Sequence, residues 1–157
     1  MATAAEERAA TGVYPVRGRA DVVVARRAAQ RIGERAGLST RRATEIAIVV
    51  SELATNIVKY GVRGEVALYW EQSGETSGEP GGTTGALVVV AKDVGPRIRD
   101  LEIAIADGCD DRGPIDPAEL ARRGGLGTGL GAVVRLADRF ECRQDDGGKE
   151  ITVRFFR

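Results

Sequence analysis

The residues with the most obvious chemical potential stand on one segment, Thr40 to Tyr60, which carries Glu52, Asn56 and Lys59 at i, i+4 and i+7. On a helix at about 100° per residue these three share one column, together with Glu45. Ala43, Ile46, Ala47, Val50, Leu53, Ala54 and Ile57 fall on a separate apolar arc of about 120°. The column could simply be a solvated face. However, Ile48 and Val49 flank it, and asparagine is a poor helix-interior residue because its amide competes for backbone hydrogen bonds. A carboxylate one turn before a carboxamide suits Mg²⁺, a hard cation that takes few protein oxygens and completes its shell with phosphates and water.

Two further features bear chemistry. The apolar run Ala86–Ala91 leads into Lys92-Asp93-Val94-Gly95-Pro96, so Asp93 ends a strand where the chain turns. Turn chemistry alone would account for it. Alternatively, the carboxylate accepts from the exocyclic amine of a base that Gly95 lets approach the backbone. Gly124-Gly125-Leu126-Gly127-Thr128-Gly129-Leu130-Gly131 then opens a helix. Glycines expose backbone N–H groups, and a helix N-terminus adds partial positive charge, so this run reads as a phosphate cradle. No Lys-Ser/Thr pair completes a P-loop, and no strand precedes the glycines as a dinucleotide fingerprint requires.

Elements must hold these groups. Gly12–Arg17, Glu65–Glu71, Ala86–Asp93, Phe140–Gln144 and Glu150–Phe155 read as strands, the last two as a hairpin around Asp145-Asp146-Gly147-Gly148. Asp21–Ala36 is a helix ended near Gly37. Ser39 or Thr40 caps a second one that stops at Gly61. Arg99–Ala106, Pro117–Ala121 and Gly129–Arg139 are shorter helical segments, and Ser73–Gly85 is a long hairpin connection. The sum is an α/β two-layer sandwich, a mixed but mostly antiparallel sheet with helices on one face. Residues 1–11 are expected as a flexible N-terminus and 12–157 as a single domain.

Composition narrows the function. With no histidine, Ser-His-Asp and Cys-His triads and His-based metal sites are excluded. Two cysteines, Cys109 and Cys142, make neither a disulfide framework nor a zinc site. Lys plus Arg equals Asp plus Glu at 23 each, which gives no reason to expect nucleic acid or a membrane surface as partner. Arg26, Arg27, Arg31 and Arg35 cluster, as a solvated helix face would. No apolar stretch approaches the roughly 20 residues of a membrane span, and a cytoplasmic location is expected.

Glu-x-x-x-Asn on a helix, Asp-x-Gly at a strand end, a loose segment and a Gly-rich helix start occur here in that order. This resembles the GHKL (Bergerat) ATP-binding family of gyrases, histidine-kinase catalytic domains and anti-sigma-factor kinases, from about Val13 to Phe156. Within it, Ser51–Tyr60, Asp93–Pro96 and Gly124–Leu130 look most like the RsbT-type switch serine/threonine kinases. The resemblance implies Glu52 as catalytic base or water orienter and Asn56 as the Mg²⁺ ligand. Asp93 would meet the adenine amine, with Gly95 against the base. Gly125, Leu126, Gly127, Thr128, Gly129 and Leu130 would surround the phosphates of ATP, with Lys59 adding charge. Residues of about 97–125 would form the lid.

The second glycine of the family's Asp-x-Gly-x-Gly is Arg97 here, within the implied nucleotide-binding set. Its side chain could weaken nucleotide binding, redirect it or point outward. The implied partners are a STAS-domain antagonist as substrate, with a metal-dependent phosphatase or sigma factor downstream in stress signalling, and a homodimer is compatible with the group. A non-catalytic nucleotide-binding partner switch is the alternative. An oxidoreductase using the glycine loop is a third reading, and it would require a parallel sheet.

Overall fold

The computed structural model describes residues 9–72, 85–106, 109–110, 113–114 and 129–157. Strand β1 (Ala9–Val16) leads to helices α1 (Arg19–Arg35) and α2 (Thr40–Tyr60). Strands β2 (Gly64–Gln72) and β3 (Gly85–Asp93) follow, then α3 (Leu101–Ile105) and a two-residue pair, β4 (Cys109–Asp110) with β5 (Gly113–Pro114). Helix α4 (Leu130–Leu136) and the hairpin β6 (Arg139–Asp145) and β7 (Gly148–Phe156) close the chain.

The main sheet has five strands in the order β1-β2-β3-β7-β6. Every pair in it is antiparallel, so the parallel component expected of a mixed sheet does not occur among the described strands. The helices lie on one face. Leu87, Val89 and Ala91 of β3 alternate inward with Val66 and Leu68 of β2 and Ile151, Val153 and Phe155 of β7. They meet Ala25 and Ala29 of α1, Ile46, Val50, Leu53 and Ile57 of α2, and Leu130 and Val133 of α4.

Local chemistry explains where the elements stop. Helix α1 begins at Arg19, two residues before Asp21, because the Asp21 carboxylate reaches back to accept the N–H groups of Arg17 and Gly18. It ends with Gly37 at φ +76°, where the Leu38 N–H donates to the Gly33 carbonyl. Ser39, rather than Thr40, caps α2 by accepting from the Arg42 N–H. Helix α4 stops at Leu136, short of the expected Arg139, since Arg139 is already paired with Arg154 in the sheet. β1 starts at Ala9, earlier than Gly12, by pairing with Trp70 and Tyr69. Pro117–Ala121 lies outside the described residues.

Candidate functional site

Helix α2 is a two-sided element. Its core face is fully buried, and Val49 belongs to that face rather than to the polar column. Glu52 and Asn56 are half-buried on the other side. Burial raises the Glu52 carboxyl above its ordinary value, and the Lys59 cation, two turns on, opposes the shift without cancelling it. Such a carboxylate has the raised proton affinity that a general base uses.

Glu45 shares the column on a wheel but not its setting. It accepts from Arg41 and Arg42, both at 3.0 Å. Burial works against its ionised form, but those two arginines outweigh it and hold the carboxyl below its usual value. Arg42 also donates to the Leu136 carbonyl at 3.0 Å, pairs with Asp138 and lies over the Phe155 ring. The N-terminal half of α2 is thus tied to the end of α4, where a cation complements the helix terminus.

Asp93 continues the inward alternation of β3 beyond Ala91, so its carboxylate points to the helical layer at the end of the sheet. It is only 8% exposed. Its Oδ1 accepts from the Gly95 N–H at 2.8 Å and from Lys149 Nζ at 2.9 Å. Both bonds fall on Oδ1 and leave acceptor capacity on Oδ2. Lys149 is opposite Asp93 in the β3–β7 register and equally buried, and its ammonium also donates to the Pro96 carbonyl at 3.3 Å. Gln144, next across on β6, donates to the Ile98 carbonyl and accepts the Ile98 N–H, so both backbone groups are clamped.

The end of α2 meets this cluster directly. A Cβ on Gly95 would lie 2.5 Å from the Tyr60 carbonyl oxygen and 2.7 Å from Gly61 Cα. Close packing against the helix end therefore demands glycine at this position. Asp93 Cβ in turn lies 3.2 Å from where a Cβ on Gly61 would be and 3.0 Å from one on Gly64, closer than ordinary van der Waals contact. Helix α2 also packs against α4, whose N-cap, Gly129, has φ +56°. Asn56 is thus one residue from Ile57, whose carbonyl accepts the Gly61 N–H at the helix stop.

Arg97 takes the outward course. Its guanidinium pairs with Asp146 of the β6–β7 turn at 3.1 Å, and both side chains are exposed. Lys59 is exposed near Glu52, and Leu130 is buried at the start of α4. Gly125, Leu126, Gly127 and Thr128 lie outside the described residues. The structure thus brings together Asp93, Gly95 and the end of the helix bearing Glu52 and Asn56, with α4 packed on that helix.

Lys149 and Gln144 were not singled out from sequence. A signal existed for Lys149, because it is in phase with Ile151, Val153 and Phe155 on β7 and is charged where they are apolar.

The donor set fits an adenine nucleotide with magnesium. A buried carboxylate with unused capacity on Oδ2 suits a base amine. Among the described residues no group of three or more His, Cys, Asp or Glu could hold a metal. Mg²⁺ needs no such group, since phosphates and water supply most of its shell and Asn56 could supply a protein oxygen. The dinucleotide reading loses its parallel sheet.

Comparison with known proteins agrees. The family model for the histidine kinase-like ATPase domain matches residues 18–155. The serine/threonine-protein kinase RsbT of Bacillus subtilis (strain 168) is 33% identical over 132 residues, covering 83% of this chain and 85% of that protein. Among the described residues no helix is long and apolar enough to cross a membrane. With a five-stranded main sheet, a helical layer on one face and a carboxylate at the strand end beside the helix terminus, the chain belongs to the histidine kinase-like ATPase domain family.

Proposed function

We propose that this chain is an ATP-dependent protein serine/threonine kinase that works as a partner switch, with a STAS-domain protein as its substrate. The observation that carries the reading is Glu52, a half-buried carboxylate raised in proton affinity, one turn before Asn56. ATP bound with Mg²⁺ supplies the transferable phosphoryl group. Phosphoryl transfer asks the protein mainly for alignment and charge. Asn56 holds the metal, and Lys59 adds positive charge. Asp93 takes the 6-amino group of the base, while Gly95 keeps the strand end against the helix.

The family resemblance assigns the phosphates to Gly125–Leu130 and the lid to residues of about 97–125. Arg97 contributes through its backbone, its side chain being engaged by Asp146. Glu52 removes the proton of the attacking serine or threonine hydroxyl as its oxygen bonds to the γ-phosphorus, and ADP departs. Release from the substrate frees the chain to bind a downstream phosphatase, the partner that the resemblance to switch kinases implies.

A non-catalytic, nucleotide-binding partner switch is the second reading. The test is transfer of labelled γ-phosphate from ATP to a STAS-domain protein by wild type and by Glu52→Gln. The kinase reading expects a roughly 10²- to 10⁴-fold loss of transfer with ATP affinity within about threefold of wild type. Nucleotide binding without transfer by wild type to any STAS-domain partner would favour the module.

A further inference from the structure

Lys149 presents a problem that structural duty alone does not answer. Its position on β7 is in phase with three core residues, and a buried ion pair there is no more stabilising than a well-packed apolar pair. The pair nevertheless lies at the edge of the sheet that packs against the end of α2. An ammonium carries three donors. One goes to Asp93 Oδ1 and one to the Pro96 carbonyl, which leaves a third. Asp93 Oδ2, on the same carboxylate, keeps its acceptor capacity. An acceptor and a donor therefore stand side by side.

Adenine offers the complementary pair along its Watson–Crick edge: the 6-amino group donates and N1 accepts. Guanine reverses both, with O6 accepting and N1–H donating. From this juxtaposition we infer that Lys149 reads the base directly, giving a hydrogen bond to adenine N1 while Asp93 Oδ2 takes the 6-amino group, so that the pair selects adenine over guanine. The inference rests on the reading that a purine nucleotide binds at Asp93. Gln144 supports it by clamping Ile98, which keeps the Pro96 carbonyl over the ammonium.

Calorimetric titration of the full chain with ATP, 1-deaza-ATP, purine riboside triphosphate and GTP tests this. Loss of a hydrogen bond from a charged donor predicts 1-deaza-ATP binding about tenfold or more weaker than ATP. Purine riboside triphosphate, lacking the amine, should weaken as well, and GTP most of all. In Lys149→Met the penalty for 1-deaza-ATP should fall below about twofold. If the amine matters but N1 does not, or if the N1 penalty survives in Lys149→Met, the role of Lys149 is overturned while the site at Asp93 stands. If neither group matters, or ATP does not bind, the site itself is wrong and the inference falls with it. The unsubstituted chain supplies the decisive ratios should Lys149→Met fold poorly.

Discussion

Replacing Lys149 by Met should strike the fold harder than any surface change, and its magnitude follows from burial. The two side chains are 6% and 5% exposed and 2.9 Å apart. Removing the ammonium leaves the Asp93 carboxylate buried, supported among the described residues by the Gly95 N–H. Breaking such a pair from one side costs about 3–5 kcal/mol. Against a total stability of about 5–15 kcal/mol that is a large fraction. At about 2–4 °C per kcal/mol for a chain of this size, the midpoint should fall by roughly 6–20 °C.

The double variant Asp93→Asn with Lys149→Met removes both charges and keeps an oxygen for the Gly95 N–H. It should recover most of the loss, so the two changes are strongly non-additive. Thermal melts by circular dichroism, with urea titrations to check that the transition slope is unchanged, measure all four corners of the cycle. A drop below about 2 °C for Lys149→Met, or simple additivity, would refute the claim that the pair is buried and mutually dependent.

Three further predictions follow from the site. Glu52 binds its proton more tightly in the native state than in the unfolded chain, so its contribution to stability diminishes as pH rises through the raised native value. Glu52→Gln should therefore melt above wild type at neutral pH, with the gap closing as pH falls into the ordinary carboxylate range. Phosphate transfer should rise with pH about a midpoint above the reference near 4.3 for glutamate. A Gly95→Ala change forces a Cβ to 2.5 Å from the Tyr60 carbonyl oxygen, which should destabilise by roughly 1–3 kcal/mol and weaken ATP binding together, as melts and titration would show.

The fold was legible wherever a local chemical signal closed an element. Ser39 and Gly61 bracket α2 as its sequence indicates, because a hydroxyl cap and a glycine stop act on neighbouring residues only. The two-residue loop of the last hairpin is equally local. What escaped depends on contacts distant in sequence. Glu45 looks like a member of the polar column until Arg42, held by Asp138 and the Leu136 carbonyl, draws it aside. Arg97 had three open fates, decided by Asp146 in a turn 49 residues on. Gly95 appeared to make room for a base, yet its tightest neighbour is the end of α2. Lys149 was visible as a charge in an apolar phase, but its partner is fixed only by strand register.

The most direct test is whether one ligand feels both the helix and the strand end. ATP affinity should be measured by calorimetry for wild type, Asn56→Ala and Asp93→Ala, with magnesium and again with a chelator present. Both variants are expected to weaken ATP at least about tenfold in magnesium, and the Asn56→Ala deficit should disappear when the metal is withdrawn. Wild-type affinity for ATP in either variant, under magnesium, would contradict a shared pocket.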